Sequence, residues 1–67
     1  MKGVVNMYIV RSFYQLADGE WITSKSGALS KADAAFLRDR LYYHFNGLHD
    51  EGIVRDYAFT VEEVKTA

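Results

Sequence analysis

The chain has 67 residues, with no cysteine and no proline. Without cysteine, no disulfide staples the fold and no thiolate holds a metal, which fits a reducing compartment. Without proline, no strand or helix is broken by a missing N–H. A dominant charge is missing too: eight Lys and Arg stand against nine Asp and Glu, a net of −1. That balance argues against a strongly electrostatic nucleic-acid or membrane-surface binder. No apolar run approaches the ~20 residues of a membrane helix. The apolar part of Met1–Asn6 is too short for a signal peptide, so the chain reads as cytoplasmic with no membrane partner. Repeats, low-complexity stretches and linkers are absent, and residues 1–67 read as a single domain.

What is present is apolar. Hydrophobic residues make up 49% of the sequence and aromatics 15%. A domain this short buries only ~60% of its unfolded surface, and small domains often compensate by oligomerising. Surplus apolar surface is therefore the feature to follow.

Ser30 to Leu48 reads as one amphipathic helix. Ser30 is a good N-cap, and Asp33 three residues on places negative charge in the first turn. Asn46-Gly47 predicts the stop, with Gly47 at C′ and Leu48 as the apolar residue after it. Ala34, Leu37, Leu41, Phe45 and Leu48 recur every three or four residues and form a core-facing stripe. Phe36 and Tyr43 are seven apart and fall on the outer side beside Asp39 and Arg40. A simple surface helix would be polar there, so these four residues are candidates for partner contact.

Residues 4 to 16 read as a first strand, rich in Val, Ile, Tyr and Phe. Asp18-Gly19 then predicts a two-residue type I′ hairpin. That loop sets Leu16 opposite Trp21, Tyr14 opposite Thr23 and Ser12 opposite Lys25. One face then carries Tyr8, Val10, Ser12, Tyr14, Leu16, Trp21 and Thr23. The other carries Met7, Ile9, Arg11, Phe13, Gln15, Ile22 and Ser24. The first is expected to meet the helix, because Arg11 would be costly to bury unpaired on the second. Both faces are substantially apolar, yet one helix covers one face. Ile9, Arg11, Phe13 and Ile22 are thus expected to meet a partner, or the Tyr-Trp set if a one-residue slip inverts the faces.

Leu48 to Gly52 reads as a polar loop and 53–64 as a third strand beside the first or second strand. Beside the first it could run parallel through a right-handed crossover. Lys65 to Ala67 reads as a frayed end. The expected fold class is α+β, a small β-β-α-β domain with an antiparallel hairpin, a third strand and one helix on one face.

Chemistry is harder to find. There is no P-loop, no dinucleotide fingerprint, no His-Glu-x-x-His and no calcium loop. His44, His49 and Asp50 have some metal-ligand flavour, but a histidine at a helix C-terminus is favoured by the dipole alone. No nucleophile stands near His49, and no metal, cofactor or enzymatic activity is expected.

The order of strand, Asp18-Gly19 turn, strand, Leu29-Ser30-x-x-Asp33 helix start and final strand resembles the small dimeric phage inhibitors of uracil-DNA glycosylase. The resemblance implies a phage or mobile-element regulator that blocks a host enzyme. It does not extend to charge, since those inhibitors imitate DNA and are strongly acidic, and no site residue is carried over from it. The expected function is that of a protein-interaction module, a homodimeric regulator or inhibitor covering another protein's surface. The alternative is nucleic-acid binding, with Tyr8, Tyr14 and Trp21 stacking bases and Lys25, Arg11 or Arg55 on phosphates.

Overall fold

The computed structural model describes residues 6–64; the readings of 4–5 as strand and 65–67 as a frayed end lie outside them. Four elements follow in order: β1 (Met7–Leu16), β2 (Trp21–Lys25), α1 (Lys31–Asp50) and β3 (Val54–Val64). They form a small α+β domain with an antiparallel three-stranded sheet in the order β2-β1-β3.

Chain direction explains why β3 runs antiparallel to β1, against the parallel option. β2 returns the chain to the starting end of β1, where Tyr8 and Leu29 exchange two backbone hydrogen bonds of 2.8 and 2.7 Å. α1 then carries it ~30 Å back along the sheet, about the length of β1. Only a strand running the other way can lie along β1 from there. A bulge at Arg55 adjusts its start, with Gln15 facing Asp56 and Leu16 facing Val54.

The hairpin turn differs from the type I′ expectation. The loop is Ala17–Asp18–Gly19, closed where the Leu16 N–H donates to the Glu20 carbonyl (2.8 Å) and the Gly19 N–H to the Leu16 carbonyl (2.9 Å). Type I′ needs positive φ at both central residues, but only Gly19 has it (φ 96°). Asp18 instead accepts the Glu20 N–H at 2.9 Å, which holds a type I turn followed by a glycine bulge. The extra loop residue moves the register by one: Tyr14 faces Ile22, Phe13 faces Thr23 and Gln15 faces Trp21. The predicted sides of β2 are therefore exchanged.

The helix starts as expected, with the Ser30 hydroxyl accepting the Asp33 N–H at 3.1 Å. It ends later than expected. Gly47 is helical, and so are Leu48, His49 and Asp50. The stop is Gly52 (φ 80°), whose N–H donates to the His49 carbonyl, while the Ile53 N–H donates to that of Leu48, each at 3.0 Å. This double closure is the Schellman motif. Gly52-Ile53 thus does what Gly47-Leu48 was expected to do, and Leu48, His49 and Asp50 of the predicted polar loop are helical, with Glu51 as the C-cap.

The core lies between α1 and the β1/β3 half of the sheet. Val10, Ala34 and Phe59 are buried at its centre, flanked by Tyr8, Leu29, Leu37, Leu41, Phe45, Tyr57 and Val61. Ala34, Leu37, Leu41 and Phe45 of the predicted helical stripe face inward; Leu48 is not among the residues packed on this core. Phe45 is the aromatic hub, its ring centroid 4.9 Å from Tyr14 and 5.0 Å from Phe59. Ser12 is buried in the helix-facing row, as expected of a small residue there. Tyr42 was not foreseen. Its hydroxyl accepts the Phe59 N–H (3.2 Å) and donates to the Phe59 carbonyl (3.4 Å), capping part of the outer edge of β3. The Tyr57 hydroxyl also reaches the helix, bonding Asn46 Oδ1. Exposed strand edges invite pairing with other chains, and α1 thereby blunts this one.

Candidate protein-binding surfaces

Cross-strand neighbours share a face, so the register defines the side of the sheet away from α1. β1 contributes Met7, Ile9, Arg11 and Phe13. β3 contributes Ala58, Thr60, Glu62 and Val64, and β2 contributes Trp21, Thr23 and Lys25. No element covers this face among the described residues. Trp21, the one tryptophan of the chain, is 54% exposed on it.

Ile9, Arg11 and Phe13 are brought together there as expected. Ile22 is not. Opposite Tyr14, it lies on the helix side of the sheet, and the one-residue longer turn is the reason. α1 packs over β3 and β1 without approaching β2, so Ile22 stays half-exposed at the edge. Trp21 and Thr23 take its place on the open face; a three-residue loop reading of Ala17-Asp18-Gly19 would have found them.

Arg11 sits mid-face, and sequence alone could not name its partner. Its Nε donates to Glu62 Oε2 at 2.9 Å and its Nη2 to Oε1 at 3.2 Å, a fork across β1 and β3. The Glu62 hydrogen bond, and then its charge, raise the Arg11 pKa above the ordinary guanidinium value. Arg11 and Lys25 face each other across β1 and β2, while Glu62 and Asp56 lie along β3. The open face is thus an apolar patch that also carries two basic residues, Arg11 and Lys25, and two acidic ones, Glu62 and Asp56.

The outer helix face also assembles as expected. Phe36 is 63% and Tyr43 82% exposed. The Arg40 guanidinium lies 5.7 Å from the Phe36 ring centroid, a cation–π arrangement. Asp39 instead accepts from the neighbouring Arg38 at 3.3 Å.

The aromatic platform imagined for nucleic acid is not assembled. Tyr8 and Tyr14 lie on the helix side with Val10 and Ser12, and Trp21 lies on the opposite side. Arg55 is the bulge residue near Gly19, away from Arg11. His44 and His49 are separated around the helix by five residues. His49 Nδ1 is 4.0 Å from Asp50 Oδ1 with both side chains exposed, and no group of three metal-ligating residues gathers among the described residues. Among the described residues, no helix is long and apolar enough to cross a membrane. Compared with known proteins, the chain matches no family model, no curated protein and no solved structure.

Proposed function

We propose that this chain is a non-enzymatic protein-binding module, a regulator or inhibitor that lays the open face of its sheet against another protein. The observation that carries the reading is the uncovered side of the sheet. Met7, Ile9, Phe13, Trp21 and Val64 are apolar there, around a forked Arg11–Glu62 pair. Aromatic residues, methionine and arginine are enriched at protein interface cores. Two basic and two acidic residues on one patch suit a protein partner with both signs of charge better than a polyanion. The reading places the protein in the cytoplasm as a homodimer, on the support of a cysteine-free chain with surplus apolar surface.

The test is capture of partners from cell lysate by the wild-type chain and by Phe13→Asp, each first checked by circular dichroism. The wild type is expected to retain a specific protein at moderate salt, and the variant to lose it. Adding the purified partner should shift Trp21 emission to the blue. Equal recovery by both chains would sink the open-face reading. A binding constant falling steeply with salt, together with recovered nucleic acid, would replace it with the nucleic-acid alternative.

A further inference from the structure

Gly47 is helical, in the last turn of α1, yet nothing among the described residues calls for glycine. A Cβ there would meet no atom within 4 Å, and its φ is not positive. Glycine is the poorest helix former after proline, and where φ is not positive its remaining use is to let another group approach the backbone closely. Gly47 also belongs to a row. Phe36, Arg40, Tyr43, Gly47 and Asp50 recur at alternating spacings of four and three, one stripe along the outer side of the helix. A shallow depression beside Gly47 is bordered by Arg40, Tyr43, His44, Asn46 and Asp50. Arg40 makes no ion pair among the described residues, and Asp50 has only the 4.0 Å approach of His49.

We propose that this stripe joins two copies of the chain through antiparallel α1 helices about a two-fold axis, each Tyr43 seated in the notch at Gly47 of the other copy. The charge order selects this orientation. A parallel, in-register pair would set Arg40 against Arg40. In an antiparallel pair, placing Tyr43 against Gly47 fixes every other position. Three residues toward the N-terminus on one helix meet three toward the C-terminus on the other, so Arg40 meets Asp50. The two-fold axis makes each contact twice, as an isologous interface requires. Phe36 then reaches past Asp50 to the turn carrying exposed Ile53. The overlap from Arg40 to Asp50 is about 16 Å of helix, which makes the interface small and the dimer reversible.

This inference rests on the reading of surplus apolar surface as protein-contact surface, but it uses the outer helix and leaves the open sheet face free. The experiment is sedimentation across a concentration series, with Trp21 emission recorded on the same samples. The wild type is expected to dimerise reversibly without a change in Trp21 emission, since Trp21 lies across the sheet from α1. Arg40→Glu and Asp50→Arg should each weaken dimerisation about tenfold or more, with unchanged circular dichroism. An equimolar mixture of these two variants should associate about as well as the wild type, because each contact again sets a carboxylate against a guanidinium. Gly47→Leu should abolish the dimer while leaving the helix intact.

A wild type that stays monomeric at every concentration overturns the proposal. So does a mixture that associates no better than its components. A blue shift of Trp21 on dimerisation would also overturn it, by moving the contact to the sheet. Loss of partner capture in Phe13→Asp is read independently, so failure of the helix pairing and failure of the open-face reading stay distinguishable.

Discussion

Val10 and Phe13 belong to the same central strand and are both apolar, yet one is buried against α1 and the other faces outward on the uncovered side. Their difference shows what a single helix can cover. A helix with its side chains is ~10–12 Å across, and neighbouring strands lie ~4.8 Å apart. One helix therefore spans two strands on one face. Here those are β1 and β3, where Tyr42 and Tyr57 tie helix and strand together. Among the described residues, β2 is left uncovered on both sides and the far face of all three strands is bare. The helix-facing rows are the more apolar, with Glu63 their one charge, whereas the open face mixes Met7, Ile9, Phe13 and Trp21 with Arg11, Lys25, Asp56 and Glu62; composition and the reach of the helix together decide which face becomes core.

The largest expected contrast between the faces comes from matched phenylalanines. Phe59, 3% exposed, packs on Phe45 and Tyr42. Phe59→Ala should cost ~3–5 kcal/mol, enough to unfold much of the population in a domain this small. Phe13→Ala removes a side chain from the open face and should cost about 1 kcal/mol or less. Urea unfolding followed by circular dichroism measures both. Equal losses would break the comparison, because they would mean that something covers the open face in the isolated protein.

A smaller contrast uses added volume. Ala34 is 0% exposed at the centre of the core, whereas Ala58 is exposed on the far face. Ala34→Leu should overpack the interface of α1 with the sheet and cost about 1–3 kcal/mol. Ala58→Leu should stay within about 0.5 kcal/mol of the wild type. The same unfolding curves read both. A tolerated Ala34→Leu would show that the helix stands further from the sheet than its burial implies.

Much of this architecture was legible because local chemistry and global packing agree. Ser30 caps the helix, and Ala34, Leu37, Leu41 and Phe45 line its inner face through hydrogen-bonding and spacing rules that act within a few residues. Phe36, Tyr43 and Arg40 on the outer face follow from the same spacing. Legibility failed where one residue changes everything downstream. Asp18-Gly19 marks a hairpin, but two- and three-residue loops use the same pair. The choice turns on the φ of Asp18, and the wrong one carried Ile22 to the open face and Trp21 to the core. Tyr42 escaped because its role is polar: its hydroxyl serves the edge of β3, a contact no hydrophobic pattern records. The Arg11–Glu62 fork escaped because it depends on strand pairing between distant residues.

The last contrast is between two glycines that look alike in sequence, each followed by an apolar residue. Gly52 has φ 80° and closes the helix, while Gly47 is helical with open space around it. Gly52→Ala places a Cβ in the left-handed region and should cost about 1–2 kcal/mol, with fraying of the last turn. Gly47→Ala, measured at dilutions where the chain is monomeric, should instead stabilise by up to about 1 kcal/mol, since alanine is the better helix former. Opposite signs in thermal unfolding would separate the glycine that ends the helix from the one whose use lies outside the single chain. Equal destabilisation by both would place the helix stop at Gly47, and would remove the reason to look for a second molecule at its notch.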